Sequence, residues 1–287
     1  MIQSVRRRRK KRKDLLGIIG IISIFAIGGV SFYFLNSIND PLDNYGCSIK
    51  NGPNAVTTII FDKSETYTND QVTDIKSSFN SWLSGNEPAT KDRPINLEQF
   101  AVGNLIQLFV TDQDSLNLAE GLTPVAQLCV PKDFKDANIY FENPSFLERR
   151  QNQFISKFNN AIDSLLEEAE GKSPILETLI RISNSESFQM YSDKPRNMLI
   201  VSDMLQNSDK YSHYRTNQGP SWEVFEEKMS DTIYVNVRFN KLKVQVFYAT
   251  RQSERDRKLQ QRPLVEFWKN FFKNSNAEMG EWIRMDG

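Results

Sequence analysis

At 287 residues, with 39% hydrophobic and 11% aromatic content, the chain can form one large domain or two small ones around a substantial core. Its formal net charge of zero conceals a division, because eight of the 36 basic residues lie in Arg6–Lys13, leaving 28 basic against 36 acidic residues elsewhere. The mildly acidic remainder argues against nucleic acid as a ligand, and a single histidine, on a loop, offers no His-based triad and leaves little material for a zinc site or a Cys/His dyad.

Residues 1–14 read as a basic cytoplasmic tail. From Leu15 to Leu35 there are 21 consecutive residues without a charge, enough to span roughly 30 Å of hydrocarbon as a helix. The Lys/Arg block before this predicted transmembrane helix, with none after it, places the N-terminus in the cytoplasm and the C-terminal part on the far side. A cleaved signal peptide is the alternative, but residues 36–40 offer no convincing cleavage site. The composition points to a bacterial inner-membrane protein with a periplasmic domain. Residues 36–54, with Pro41, Gly46, Gly52 and Pro53, form a linker. Cys47 and Cys129 lack CxxC spacing; in an oxidising compartment a disulfide tying linker to body is one outcome, and two buried free thiols is the other.

The domain occupies 55–287. Ala55–Phe61 reads as a buried strand ending at Asp62, and Thr68–Gln71 opens a helix with Val72, Ile75, Phe79, Trp82 and Leu83 at helical spacing. Leu105–Thr111 is a second strand, and 124–130 is a weaker one suited to an edge by Pro124 and Pro131. Ile139–Phe141 reads as a short pairing segment. A long helix follows from about Ser145 to Glu168, with Phe154, Phe158, Ile162, Leu165 and Ala169 on its buried stripe. Ser173 is predicted as an N-cap with Pro174 in the first turn and Glu177 near capping-box register. Met198–Asp203 repeats the opening pattern of an apolar strand ending in a carboxylate. Residues 205–220 read as a polar loop, 222–229 as a short helix, 243–249 as a strand and 251–262 as a charged solvated run. Pro263 opens a last helix with Leu264, Phe267, Trp268, Phe271 and Phe272 on one face. Strands alternating with helices imply an α/β fold with a doubly wound, mostly parallel sheet.

Asp62, Ser64 and Thr66 follow the first strand at alternate positions. Ser173-Pro174 opens an apolar helix, and Asp203 ends a later strand. These three stretches, in this order, resemble the D-x-S-x-S, Thr-Pro and strand-end Asp motifs of von Willebrand factor type A domains. The sequence departs from the pattern with Thr66 for Ser, Ser173 for Thr, and Met204 where Gly is usual. The resemblance implies a metal-ion-dependent adhesion site in which Asp62, Ser64, Thr66, Ser173 and Asp203 hold Mg²⁺ or Mn²⁺. An open coordination position would take a carboxylate of a protein partner. Tyr211, His213, Tyr214 and Arg215, on the loop after Asp203, are candidate partner contacts. The function expected is a membrane-anchored protein-binding module rather than an enzyme, with neither its partner nor its oligomeric state legible. One alternative is a metal-independent scaffold of a membrane complex. The other is a phosphatase-like hydrolase, since Asp62-x-Ser64-x-Thr66 is similar to the haloacid-dehalogenase motif D-x-D-x-T; Ser64 there replaces the acid needed for proton transfer.

Overall fold

A computed structural model describes residues 21–31, 41–64, 66–83, 100–111, 118, 121–138, 142–166, 169, 171–215 and 219–285. Of the predicted membrane span, residues 21–31 are helical and exposed, with Phe25 at 76%; the rest of that span, the basic tail and Ile139–Phe141 lie outside the described residues. Among the described residues, no helix is long and apolar enough to cross a membrane.

The domain is an α/β structure on a six-stranded, mostly parallel sheet in the order β3-β2-β1-β4-β5-β6. Its strands are β1 (Val56–Asp62), β2 (Leu105–Thr111), β3 (Ala126–Cys129), β4 (Arg196–Ser202), β5 (Leu242–Tyr248) and β6 (Ala277–Arg284). All neighbours pair in parallel except β2 and β3, so the antiparallel strand sits at one edge, as Pro124 and Pro131 lead one to expect. Strand β6, which has no counterpart in the sequence reading, forms the other edge. Its sequence alternates weakly and only one of its residues is fully buried, so no hydrophobic period announces it. Its register against β5 shifts between Val244 and Val246.

Strands β1 and β4 are buried at every residue, as central parallel strands covered on both faces must be. The coverings are α1 (Asn69–Leu83) and α2 (Pro144–Leu166) on one face, and α3 (Ile175–Asn184), α4 (Trp222–Met229) and α6 (Arg262–Asn274) on the other, with the short α5 (Glu254–Leu259) after β5. Period-two side chains divide accordingly. Ile59, Phe61, Leu199 and Val201 meet Phe79, Trp82, Phe154 and Phe158. Ile60, Met198, Ile200, Val244 and Val246 meet Leu179, Phe225, Phe267 and Trp268. Each fully buried aromatic contributes on the order of 1.5–3 kcal/mol through removal from water.

Local chemistry sets the starts of the helices. Thr68 Oγ1 accepts from Gln71 N while Gln71 Oε1 accepts from Thr68 N, a reciprocal capping box at α1. At α3 the predicted cap is replaced. Pro174 is the N-cap residue and makes no side-chain cap bond; Gln206 Oε1 instead accepts from Leu176 N at 2.8 Å. Glu177 is not part of a capping box either, because its buried carboxylate accepts from Gln206, Ser208 and Tyr234.

Cys47 and Cys129 form a disulfide. With Val56 and Leu105 they make a small cluster below the amino ends of β1 and β2, joining the segment before β1 to edge strand β3. The expectation of a charged solvated run at 251–262 is corrected: Arg251 is buried, and residues 254–259 are helical.

Candidate functional site

The strand order reverses at β1. Chain connections lead to β2 and β3 on one side and to β4, β5 and β6 on the other, so the carboxyl ends of β1 and β4 flank the crevice where doubly wound sheets bind ligands. Asp62 ends β1. Asp203 follows Ser202, the last residue of β4. Because Phe61 pairs with Val201 in parallel register, the two carboxylates stand on one rim of adjacent strands. Tyr67 straddles them, its hydroxyl 2.9 Å from the Asp62 carbonyl and 3.0 Å from that of Val201.

Asp62 is 1% exposed and its carboxylate is fixed by three donors. Ser64 N reaches Oδ1 at 3.0 Å, and Ser173 Oγ and Ser202 Oγ reach Oδ2 at 2.8 and 2.7 Å. This explains the missing N-cap bond at α3, since the Ser173 hydroxyl is turned to Asp62. Antiparallel bridging between Ser173 and Asn207 positions it, with backbone bonds in both directions, and Gly171 N holds the Ser64 carbonyl. Ser64 Oγ is buried and has no hydrogen-bond partner among the described residues. Thr66, by contrast, is exposed, and it is its carbonyl that is engaged, by Arg251 Nη1 at 3.3 Å.

Asp203 is committed differently. Its Oδ1 accepts from Leu205 N at 2.8 Å and its Oδ2 from Arg251 Nε at 2.6 Å, with side-chain exposures of 3% for the aspartate and 6% for the arginine. Burial raises its pKa to about 6, against the lowering effect of the guanidinium. Gln260 fastens the pair. Its Oε1 accepts from Arg251 N, and its Nε2 lies 2.8 Å from the Ala249 carbonyl and 3.2 Å from that of Asp203. Met204 adopts φ +59°, a left-handed conformation costly for a side chain with a Cβ and free of that cost for glycine. Full burial of its side chain, the Ser202 Oγ that accepts its N–H and the Trp268 indole that donates to its carbonyl hold it there.

No protein-family model matches the chain, and no curated protein matches it.

Among the described residues, no group of three or more His, Cys, Asp or Glu side chains is placed to hold a metal, so a cation here would depend on hydroxyl oxygens. Asp62, Ser64 and Ser173 fit that requirement. Ser173 donates its hydrogen to Asp62 and keeps oxygen lone pairs, and Ser64 Oγ is a buried oxygen without a partner. Asp203 fits less well, since both its oxygens are occupied and Arg251 already supplies a positive charge beside it. Ser202 and Arg251 are the rim residues that motif spacing missed. Their positions were the available signal, one directly before Asp203 and the other just beyond the β5 run.

The loop after Asp203 is corrected. Tyr211 and His213 are 3% and 0% exposed and belong to the core against Phe267, so neither is a surface contact; Tyr214 is half-buried and Arg215 exposed. His213 Nδ1 accepts from Gln206 N at 3.2 Å, its backbone N–H reaches the Gln206 carbonyl, and aromatic rings flank the imidazole. Burial lowers its pKa from 6.5 to about 3. Below about pH 6.5 the unfolded chain takes up a proton that the folded chain refuses, so this histidine withdraws stability as pH falls towards 3. Asp203 acts oppositely: its folded pKa is raised, so its contribution is present at low pH and lost as pH rises through about 6. His213→Phe removes only the first effect. From about pH 7.5 to about pH 5, urea unfolding should show the variant's stability changing by about 2 kcal/mol less unfavourably than the parent's. At pH 7.5 the variant should be about 1–3 kcal/mol weaker than the parent, from loss of the acceptor for Gln206 N, and that gap should narrow by about 2 kcal/mol towards pH 5. Parallel pH curves would contradict a buried neutral imidazole.

Proposed function

We propose that the chain is a single-pass membrane protein whose von Willebrand factor A-like domain, outside the cytoplasm, binds a partner protein at the β1–β4 rim. The reading is of a binding module and not of an enzyme. The rim would hold Mg²⁺ or Mn²⁺ on Asp62, Ser64 and Ser173. Bound there, such an ion supplies Lewis acidity and an open position for a partner's carboxylate. The chain's own residues do the rest: Ser173 and Ser202 orient the Asp62 carboxylate, Tyr67 ties the two strand ends, and Arg251 neutralises Asp203.

The observation that carries the cation is the Ser64 hydroxyl, buried beside Asp62 with no partner among the described residues, because an unsatisfied buried oxygen is a cost that a bound ion removes. Support for the setting comes from the disulfide, which suits an oxidising compartment, and from the exposed apolar face of helical residues 21–31. A specific observation favours a second reading, a metal-independent scaffold: the Arg251 guanidinium already provides a cation at Asp203.

Calorimetric titration of Mn²⁺ into the full-length chain in detergent separates the two. Under the first reading the parent binds one ion and Ser64→Ala weakens binding at least tenfold while leaving stability within about 1 kcal/mol. If Mn²⁺ produces no saturable heat in the parent, the cation is removed and the scaffold reading stands.

A further inference from the structure

Beside the rim, beyond the carboxyl ends of β5 and β6, lies a cavity of about 470 Å³ whose walls are polar apart from the ring of Tyr248. Three arginines line it: Arg251 after β5, Arg257 on α5 and Arg284 at the end of β6, with the amides of Gln252 and Gln261 between them. No described carboxylate lines the cavity. Asp203 is paired with Arg251 from the rim side, and Asp256, on the same short helix as Arg257, is buried and accepts from Ser253 Oγ. Arg257 and Arg284 are exposed and make no ion pair among the described residues. With Arg251 paired to Asp203, the two exposed arginines leave a local positive charge on a chain that is acidic beyond residue 14, 28 basic residues against 35 acidic. Exposed guanidinium groups lining one recess favour an anion there, and their planar donor pairs match oxyanions two bonds at a time.

We propose that this cavity receives an acidic peptide segment of the partner protein, seating two or more carboxylates on Arg257 and Arg284 with Arg251 at its inner wall. The inference rests on the protein-binding reading of the adjacent rim, and it names the partner's chemistry. The space exceeds what a single carboxylate or phosphate fills, and its polar lining offers no wall for an apolar metabolite. It does not depend on the cation.

The test uses the full-length chain in detergent and a hexaglutamate peptide bearing a central photo-crosslinker, with adducts mapped by mass spectrometry so that capture by the basic tail is told apart. The expected adducts fall on segments 248–262 and 278–285, drop at least tenfold in Arg257→Gln/Arg284→Gln, and persist undiminished in EDTA. Adducts confined to the tail, or unchanged in the double variant, overturn the proposal. Inorganic phosphate that displaces the peptide more strongly than sodium chloride of equal ionic strength also overturns it, by assigning the cavity to a small oxyanion. Failure of the metal reading shows separately, in the Mn²⁺ titration.

Discussion

Arg251→Met is expected to destabilise the domain by about 3–5 kcal/mol, the largest single effect at the rim. The guanidinium is the only described cation that hydrogen-bonds the Asp203 carboxylate, and both side chains are almost wholly removed from water. Taking the cation away leaves a carboxylate that must either stay charged in a medium of low polarity or take up a proton. Leu205 N alone then stabilises its charge. The loss therefore reflects the stranded aspartate more than the worth of the pair, and a second substitution should reveal this. In Asp203→Asn/Arg251→Met the amide oxygen can still accept from Leu205 N, no charge is buried, and most of the lost stability returns. Urea unfolding of the two single variants and the double variant measures the cycle. A cost below about 1 kcal/mol for Arg251→Met would mean that water reaches Asp203 and that the pair is not sealed.

Replacement of both Cys47 and Cys129 by alanine is expected to cost about 2–5 kcal/mol. The bridge closes a loop with a sequence separation of 82, and long loops lose the most entropy when cross-linked in the unfolded chain. Structure on the native side amplifies the effect. Strand β3 is four residues long, pairs with β2 alone, and is joined through Cys129 to the segment before β1. Thermal unfolding with and without reductant reads the cost in the parent, and the double variant should match the reduced parent. Near-identical melting of oxidised and reduced parent would show that the segment before β1 is held by other contacts.

Most of the sheet could be read from the chain because its central strands are covered on both faces and so appear as uninterrupted apolar runs. Ile59–Phe61 in β1 and Met198–Val201 in β4 are of this kind, and each strand stops where a carboxylate follows or ends it. Those stops also located Asp62 and Asp203, since side chains just past a strand end have only the rim to occupy. The rest was written in partnerships between distant residues. Ser173 carries every local mark of a helix cap, yet its hydroxyl is drawn across 111 positions to Asp62, and Gln206 takes over the cap. Arg251 lies at the start of a run whose composition reads as solvated surface, and only the packing of β5 beside β4 reveals that its head faces Asp203. The polar composition of 205–220 misled in the same way, because Ser208 Oγ donates inward to Glu177, while the Tyr211 carbonyl and His213 Nδ1 accept from Gln206.

The two margins of the sheet bear on how the protein behaves at high concentration. A parallel sheet left open along one border offers a ladder of amides on which another molecule could be templated, the first step towards fibrils. Here Gly280 and Glu281 together face Gln245, which breaks the even spacing of that ladder midway, and exposed Glu278 and Glu281 set negative charges along it. At the opposite border, a four-residue strand flanked by Pro124 and Pro131 is too short to recruit a neighbour. Among the described residues, each border of the six-stranded sheet thus carries a feature that discourages a seventh strand from adding to it.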